Sequence, residues 1–454
     1  MIDRDEVRAK AAEFGITPAN VERDYIFGWL LAGVYEGSAL GPQLVLKGGN
    51  CFRKGYFPRT RFSNDLDFSA AGAIEPGLLV EQLNEVCRQV QAATGVEFVT
   101  DRTRAEEKAG VDRERRLFQA RVYFRDFYGK PEAFTISVRL DVAAFDRLYL
   151  PVQQRRLIHP YSDAAACMVE LRCTKLEELL AIKLKCLLQR RHLADLFDLV
   201  YGVFFNRDLA VDRAEVLRTF LQRTIFEPSP GMAKTLLLEL PLEAFRAVWR
   251  RYIICPVQSL FEFDVAIDGF RKVIESIFGP VLPDWYAEEA FFPSRLRNPI
   301  MEAAAGQTVL ELDYHGVRRR VEPYSLAFKQ RRDGFAREYF YAYDQTGGQT
   351  SGPGLKAFVH TDIESLRVTE EQFVPRYPIE LSKAGEVGER DYFTSRFGGT
   401  RGRGGSRRIY LVECSYCGRR FERLKLGTRL RNHKDAFGNA CYGRSGRVVD
   451  RGFG

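Results

Sequence analysis

The segment LVLKGGNCFRKGYFPRTRFSNDLDFS, residues 44–69, decides the fold because two short strands lie on either side of a diglycine turn. Lys47-Gly48-Gly49 ends the first strand, and Asp65 and Asp67 lie on the second. Residues i and i+2 of a strand point to the same face of a sheet, so the two carboxylates lie side by side. Adjacent carboxylates repel each other, and a bound cation allows both to stay ionised. We therefore predict a metal site on this strand.

A third carboxylate comes from the run FTISVRLDVAAF, residues 134–145, which alternates as a strand does and places Arg139 and Asp141 on its polar face. Carboxylate and phosphate oxygens suit Mg²⁺ or Mn²⁺. Such a site can hold a nucleoside triphosphate (NTP) and activate a hydroxyl for in-line attack. The alternative is a surface strand with solvated aspartates, but the diglycine turn and the third carboxylate favour the metal site.

The composition is that of a folded globular protein. Of 454 residues, 45% are apolar and 28% are charged, which argues against a disordered or collagen-like chain. No apolar run is long enough to span a membrane, and the N-terminus lacks the apolar core of a secretion signal. Nine Cys without a framework spacing indicate reduced thiols, so we predict a cytoplasmic protein with no membrane partner.

The positive charge of the chain is concentrated at its C-terminal end. Residues 396–454 hold 15 Lys and Arg against four Asp and Glu, whereas acidic residues slightly outnumber basic ones in the rest of the chain. A local basic block favours contact with phosphates. The stretch FGGTRGRGGSRR (397–408) within this block is typical of a flexible basic linker.

Periodicity predicts alternating helical and strand-rich regions. Apolar residues at three-to-four spacing predict helices in residues 1–36 and 76–94, and again from about Lys175 to Gly279. The segment GPVLPDW (279–285) predicts a boundary, and short strands are expected from about Asn298 to Leu381.

Three segments together resemble the AbiEii family of nucleotidyltransferase-fold toxins, found in type IV toxin–antitoxin and abortive-infection systems. They are KGGNCFRKGY…RFSNDLDFS, VERDY (21–25) and LEELLAIKLKCLLQRRHLADLFDL (176–199). The resemblance extends over roughly residues 15–280. The chain departs from the family pattern at Asn50, where Thr is usual, and at Ala194, where Arg is frequent and would supply a phosphate contact.

The resemblance implies roles for individual residues, with Mg²⁺ bound by Asp65 and Asp67. The implied catalytic residues are Asp65, Asp67, Asp141, Lys183 and Asp198. The implied nucleotide-binding residues are Lys47, Gly48, Gly49, Arg53, Ser63 and Asp195. The pattern itself supports Lys183, which lies on the apolar side of its helix, where an ammonium group needs an anion or a wet cleft. The alternative for Lys183 is a side chain that reaches solvent, in which case Lys185 is the candidate for its role. The alternative for Asp195 and Asp198 is a helix cap or a salt bridge with Arg190 or Arg191.

A second resemblance begins at TVLELDYHGVRRRVEPYSL and continues through REYFYAYD and KAFVHTDIESLRV. These segments are similar to a WYL domain, an SH3-like small β-barrel regarded as a ligand or nucleic-acid sensor, although Tyr339-Phe340-Tyr341 replaces the WYL tripeptide. Stacking faces and cations suit a nucleotide or nucleic-acid ligand. The alternative is that the aromatic residues fill a barrel core, which we favour for Phe340 and Tyr343. The candidate binding residues are Tyr314, Arg319, Arg320, Tyr339 and Lys356.

The C-terminal unit predicts a structural zinc site. Cys414 and Cys417 form a CxxC pair, and His433 and Cys441 follow within thirty residues, which suits tetrahedral Zn²⁺. Metal binding would fold a segment too small for its own core; unliganded thiols are the alternative. Arg419 and Arg420 flank the pair and are expected to contact nucleic-acid phosphates, RNA being favoured over DNA by the resemblance alone.

We therefore predict an α+β protein: a nucleotidyltransferase-fold mixed sheet with helices, a helical extension, a small SH3-like β-barrel and a zinc-binding module. The expected segments are a nucleotidyltransferase core (1–170), its helical part (171–285), a WYL-like barrel (296–382), a basic linker (397–408) and a zinc-finger-like module (409–454).

The predicted activity is Mg²⁺-dependent transfer of a nucleoside monophosphate from an NTP to RNA. The resemblance implies the tRNA 3′ end as acceptor, a growth-arresting toxin or phage-defence effector, and a cognate antitoxin as a further partner. The alternative is a ligand-sensing, nucleic-acid-binding regulator with an idle nucleotidyltransferase fold, but such folds usually lose acidic positions that are present here. A protein hydroxyl, an antibiotic or a second nucleotide also remains open as acceptor.

Overall fold

The two strands predicted on either side of the diglycine turn lie within a seven-stranded mixed sheet in the computed structural model of the protein. Its strands are β1 (Leu44–Lys47), β2 (Asp65–Ala70), β3 (Arg104–Lys108), β4 (Arg116–Arg125), β5 (Thr135–Ala144), β6 (Gln153–Arg156) and β7 (Glu170–Cys173). Their order across the sheet is β3-β4-β5-β2-β1-β7-β6. The pairs β2–β5 and β1–β7 are parallel, and the other neighbours are antiparallel.

The structure describes most of the chain. The described residues are 2–108, 116–125, 135–144, 146–190, 192–224, 226–227, 229–280, 290–330, 336–348, 351–377, 379–381, 408–414, 420–423, 429–430, 433–434, 440–441 and 446–453.

Eleven α-helices are found in this part of the chain. They are α1 (Arg4–Phe14), α2 (Pro18–Gly37), α3 (Gly48–Cys51), α4 (Pro76–Thr94), α5 (Leu176–Gln189), α6 (Leu193–Val200), α7 (Arg213–Gln222), α8 (Pro230–Leu238), α9 (Trp249–Tyr252), α10 (Phe263–Phe278) and α11 (Ser294–Gly306). Among the described helices, none is long and apolar enough to cross a bilayer.

Helix α4 shows how local sequence sets an element that the sheet then buries. Pro76 lies in its first turn, where a missing N–H costs nothing, and Gly95 ends it at φ 75°. Its buried stripe includes Leu79, Leu83 and Val86, which pack in the same core as the sheet. The prediction of a helix over residues 76–94 is confirmed.

The two faces of the central strands have opposite characters. Leu66 and Phe68 of β2 and Leu140 and Val142 of β5 are buried in the main core. The intervening residues of both strands are polar and lie on the other face, because side chains alternate along a strand. This polar face holds the candidate site, while helices α5 to α10 extend the core beyond the sheet.

A second sheet follows the helical region. Its strands are β8 (Thr308–Tyr314), β9 (Val317–Gln330), β10 (Ala336–Asp344), β11 (Gly354–Phe358) and β12 (Ile363–Gln372). All neighbours are antiparallel in the order β11-β10-β9-β8-β12. Helix α11 contributes Ile300 and Met301 to the core on one face of this sheet. The described pairings establish an antiparallel sheet; a closed SH3-like barrel stays a prediction.

The expectation of strands from about Asn298 is wrong at its start, because residues Ser294–Gly306 form helix α11. Pro299 lies inside this helix, and a proline within a pattern argues against a helix when only the sequence is read. The rest of the region does form strands, and TVLELDY coincides with β8.

The C-terminal part contains short strands only, among the residues that the structure describes there. Strands β13 (Arg408–Cys414), β14 (Arg420–Arg423) and β17 (Gly446–Phe453) form one sheet, and β15 (His433–Lys434) pairs with β16 (Ala440–Cys441). Residues 397–407 of the predicted linker (397–408) and residues 281–285 of the predicted boundary (279–285) lie outside the described residues, whereas Arg408 begins strand β13.

Candidate active site

Three aspartates meet on the polar face of the central sheet. In the parallel pair β2–β5, Asp67 lies opposite Asp141, and Asp65 lies two residues before Asp67. One carboxylate oxygen from each of the three residues lies within 4.8 Å of the others. Asp65 is buried, whereas Asp67 and Asp141 are half-buried. The three predicted carboxylates are therefore brought together, and two of them are partly exposed.

The two glycines, predicted as a turn after β1, form the first turn of helix α3 (Gly48–Cys51), and this diglycine turn packs directly against the cluster. Gly48 has φ 68°, and a Cβ atom there would lie 2.1 Å from Oδ2 of Asp67. A Cβ atom at Gly49 would lie 2.7 Å from Oγ of Ser63, whose hydroxyl donates to Oδ1 of Asp65 at 3.1 Å. Only glycine fits both requirements at position 48, namely a left-handed backbone and contact with a carboxylate.

Two further side chains, which were not predicted to be site residues, contact the carboxylates. Gln119 on β4 donates from Nε2 to Oδ1 of Asp141 at 3.0 Å. Arg139 on β5 donates to Asp65, and its Nε lies 3.3 Å from Oδ2 of Asp141. Burial opposes the charge of the Arg139 guanidinium, but the nearby aspartates raise its pKa. The alternation of the strand predicted that Arg139 lies on the same face as Asp141, so this pattern could have indicated Arg139 as a site residue.

Lys47, predicted to bind nucleotide, lies beside the cluster and already has a partner. Its Nζ donates to Oδ2 of Asp146 at 2.6 Å, and Ser69 donates to the same oxygen at 2.6 Å. Burial alone would raise the pKa of Asp146, but the Lys47 charge and these hydrogen bonds lower it to about 2. Asp146 is thus an ionised fourth acid near the site, which sequence reasoning missed because it follows the predicted strand.

Lys183, Asp195 and Asp198 form a buried ion-pair cluster between helices α5 and α6. Lys183 Nζ lies 2.8 Å from Oδ1 of Asp195 and 2.8 Å from Oδ2 of Asp198. Arg190 pairs with Asp195, and Arg61 donates to both oxygens of Asp198 at 2.7 and 2.8 Å. The acidic pair therefore makes salt bridges, including the alternative partner Arg190.

The pKa shifts in this cluster agree with its geometry. Burial would raise the pKa of both carboxyls. Arg190 and Lys183 nevertheless hold the pKa of Asp195 well below its usual range. Arg61 and Lys183 likewise lower the pKa of Asp198. Burial would likewise lower the pKa of Lys183, and the two aspartates raise it. All three groups are therefore charged near neutral pH.

Arg61 joins this ion-pair cluster to the diglycine turn. Its Nη2 would lie 2.9 Å from a Cβ atom at Gly49, while the same guanidinium is paired with Asp198. Sequence reasoning did not assign Arg61, although it shares the alternation of Ser63 and Asp65 two and four residues later. Lys183 is thus linked to the turn through Asp198 and Arg61.

The structure places Arg53 away from the predicted nucleotide contact. Its side chain is fully buried and donates to Oδ1 of Asp24 at 2.6 Å and to the carbonyls of Pro58 and Thr60. Its guanidinium carbon lies 3.5 Å from the centre of the Phe62 ring. A buried cation needs such partners, so we assign Arg53 a structural role in place of the predicted one. Its pairing with Asp24 also places the VERDY segment in the core.

The donor set fits a hard divalent cation. Three carboxylate oxygens within 4.8 Å of one another can close around a Mg²⁺ or Mn²⁺ ion, which prefers oxygen ligands. The Gly48-Gly49 backbone lies so close to the cluster that atoms of Asp67, Ser63 and Arg61 already fill the space that side chains at these positions would need. The residues that could hold the metal are Asp65, Asp67 and Asp141.

The candidate binding residues of the second sheet are largely paired within the protein. Arg319 and Lys356 both donate to Oδ2 of the buried Asp344, at 2.8 and 2.9 Å. Arg320 pairs with Glu371, and the hydroxyl of Tyr314 donates to Asp362 at 3.3 Å. An arginine and a lysine that share one carboxylate still carry net positive charge.

The aromatic residues of strand β10 divide between the two faces of the second sheet. Phe340 is buried, as the core alternative expected. Tyr343, for which we also favoured a core position, is half-buried and packs with the cluster around Tyr324. Tyr339 is half-buried too, with its ring 6.5 Å from that of Tyr341.

The predicted zinc ligands are only partly within the described structure. Cys414 is buried, and the His433 ring lies 4.8 Å from that of Phe421. Cys441 is described for its backbone alone, at the pairing with His433. Cys417, Arg419 and the side chain of Arg420 lie outside the described residues. The zinc site stays a prediction.

A mixed sheet with carboxylates on two adjacent strands beside a diglycine turn defines the class of protein: it is a nucleotidyltransferase. The family model "Nucleotidyl transferase AbiEii toxin, Type IV TA system" matches residues 29–267, more than half of the chain. The protein therefore belongs to the AbiEii nucleotidyltransferase toxin family.

Among solved structures, the chain is similar to MenT4, a nucleotidyltransferase toxin from Mycobacterium tuberculosis H37Rv. The two are 19% identical with a TM-score of 0.40, and the similarity covers 63% of this chain and 96% of that one. No curated protein sequence matches the chain.

Proposed function

We propose that this nucleotidyltransferase uses Mg²⁺ to transfer a nucleoside monophosphate from an NTP to an RNA hydroxyl, with the tRNA 3′ end as the favoured acceptor. Blocking that end would prevent aminoacylation and arrest growth, which suits a toxin or phage-defence effector. The observation that carries the proposal is the meeting of Asp65, Asp67 and Asp141 on one face of the sheet.

The three carboxylates would hold the metal, and each has support from its surroundings. Ser63 donates to Asp65, Gln119 donates to Asp141, and Gly48 packs against Asp67, so their positions are fixed before substrate binds. When bound, the metal would neutralise phosphate charge and lower the pKa of the attacking hydroxyl. Pre-positioned ligands lose little conformational freedom when the metal binds.

The triphosphate would lie along the diglycine turn. Gly48 and Gly49 offer backbone N–H groups, Ser63 offers a hydroxyl, and Lys47 lies next to Gly48 in the chain. Lys47 would exchange Asp146 for a phosphate oxygen, which its flexible side chain allows. Lys183, Asp195 and Asp198 would hold Arg61 against the same turn.

The acceptor is proposed to be RNA because the basic residues are concentrated in 396–454, and a local basic block favours contact with phosphates. We propose that the WYL-like region (296–382) senses a nucleotide or nucleic acid, and that the module at 409–454, with Zn²⁺ bound by Cys414, Cys417, His433 and Cys441, grips phosphates through Arg419 and Arg420. Family membership also suggests a cognate antitoxin as a partner, and the cytoplasm as the place of action.

The discriminating test is transfer of label from NTPs to total cellular RNA, with and without Mg²⁺. Wild type should label RNA only with the metal, and the variants Asp65→Asn and Asp67→Asn should fall to background while keeping wild-type circular dichroism. Asp101→Asn, which changes an exposed aspartate in the same way, should retain full activity. Sequencing tRNA 3′ ends from cells that express wild type or Asp67→Asn identifies the acceptor.

The same assay separates the alternatives. A well-folded protein that labels no RNA with any NTP would favour the binding regulator. Label on protein or on a small molecule would keep the transferase and replace the acceptor.

A further inference from the structure

Arg139 is a basic side chain that lies between carboxylates of the candidate metal site. It donates to Asp65, and its Nε lies 3.3 Å from Oδ2 of Asp141. Its side chain is 35% exposed, so solvent and ions reach it. Because Asp65 and Asp141 are also two of the three carboxylates that could hold a divalent cation, the guanidinium and the metal would compete for the same residues.

The placement of Arg139 follows from strand register rather than from a flexible surface contact. In the parallel pair β2–β5, Arg139 lies directly opposite Asp65, as Asp141 lies opposite Asp67. Residues opposite each other on paired strands share a face, so all four side chains emerge on the polar face of the sheet. The carboxylates attract the guanidinium strongly, since like charges at this distance would otherwise repel one another.

We propose that Arg139 is an internal counter-ion of the metal site, which divalent cations must displace from Asp65 and Asp141 before they bind. This inference rests on the proposed function, because it takes Asp65, Asp67 and Asp141 as the metal ligands. Free metal therefore binds weakly. A metal–nucleotide complex binds more tightly, because its phosphates accept the displaced guanidinium. The protein thus favours the loaded metal–NTP complex over the bare ion.

The test measures Mn²⁺ binding without nucleotide, from the electron paramagnetic resonance signal of free Mn²⁺. Arg139→Gln removes the charge and keeps a hydrogen-bond donor, so its Mn²⁺ affinity should exceed that of wild type by at least about fivefold. Arg139→Lys keeps the charge and should stay close to wild type. Equal or weaker Mn²⁺ binding by Arg139→Gln overturns the proposal, as does an equal gain in both variants.

A second arm repeats the titration with a non-hydrolysable NTP analogue. The difference between wild type and Arg139→Gln should shrink, because the phosphates replace the carboxylates as partners of Arg139. A difference that stays the same or grows overturns the coupling to nucleotide.

Thermal unfolding checks that the variants fold and supplies an independent readout. Without metal, Arg139→Gln should melt at a lower temperature than wild type because the three carboxylates lose a neighbouring positive charge, and Mn²⁺ should raise its melting temperature by more. Asp67→Asn distinguishes the proposed metal site from the counter-ion role of Arg139. If it binds Mn²⁺ as wild type does, the proposed metal site fails; if it loses Mn²⁺ while Arg139→Gln matches wild type, only the counter-ion role fails.

Discussion

At the scale of single residues, the site depends on two glycines, because side chains at their positions would collide with the residues of the site. Gly48 has a left-handed backbone and touches Asp67, and Gly49 touches Ser63. The sequence shows two glycines after a predicted strand, a common turn signal. The structure adds why a side chain is excluded there: the backbone of the turn forms one wall of the carboxylate cluster.

Substituting Gly48 with alanine should therefore damage the proposed metal site. The Cβ atom would lie 2.1 Å from Oδ2 of Asp67, and an L-residue at φ 68° costs about 1–2 kcal/mol in addition. We expect Gly48→Ala to lower both urea stability and Mn²⁺ affinity. Gly72→Ala is the matched control, since nothing lies within 4 Å of a Cβ atom there, and it should leave both quantities unchanged.

At the scale of secondary-structure elements, helices α5 and α6 are joined through charge rather than through apolar packing alone. Lys183 of α5 contacts Asp195 and Asp198 of α6, and Arg61 links the second of these to the diglycine turn. Such a buried network stabilises the fold only while every carboxylate is ionised. Its contribution to the free energy of unfolding must therefore depend on pH.

Stability should fall as the pH drops below about 4. The pKa values of Asp195 and Asp198 are lowered in the folded protein, whereas in the unfolded chain both carboxyls take up protons near pH 4. The unfolded state then binds more protons, so acid favours unfolding. We expect Asp198→Asn to be less stable than wild type by about 3–5 kcal/mol at pH 7, because Arg61 loses its buried partner.

Urea unfolding of Asp198→Asn between pH 5 and pH 3 should also show a shallower decline than that of wild type. Asp101→Asn, at an exposed position, should follow the wild-type profile. An unchanged slope in Asp198→Asn would show that other carboxylates cause the acid sensitivity.

At the scale of the whole molecule, a buried ion pair joins the nucleotidyltransferase region to the second sheet. Arg297 of α11 and Glu338 of β10 are fully buried and paired. Arg297 Nη1 also donates to the carbonyl of Leu188 near the end of α5, at 2.9 Å. Glu338 accepts from the backbone N–H of Phe292 at 2.8 Å. One guanidinium thus links α11 to β10 and to α5, the helix that carries Lys183.

Removing this guanidinium should destabilise the protein strongly. Arg297→Met leaves Glu338 buried without its cation, at a cost of about 3–5 kcal/mol. The double variant Arg297→Met/Glu338→Leu should recover part of this loss, because apolar groups of similar size can replace a buried pair. Arg246→Met, which breaks an exposed ion pair, should leave the urea midpoint nearly unchanged.

A recovery by the double variant would separate the loss of the pair from a loss of packing. If Arg297→Met unfolded as wild type does, the ion pair would not hold the two regions together. Urea unfolding monitored by tryptophan fluorescence is suitable, since Trp249 lies in the main core.

The sequence alone determined the elements and the chemistry that they carry. Alternation and glycine signals are local, so they predicted the Asp65–Asp67 strand, the strand of Asp141 and helix α4 without knowledge of distant contacts. Motif order pointed to the family for the same reason. Only the tertiary structure decided which charges meet. Arg139 pairs with Asp65 because the parallel register places the two residues opposite each other. Arg53 is buried because it pairs with Asp24. A buried cation needs a nearby carboxylate, and only the fold decides which carboxylate that is.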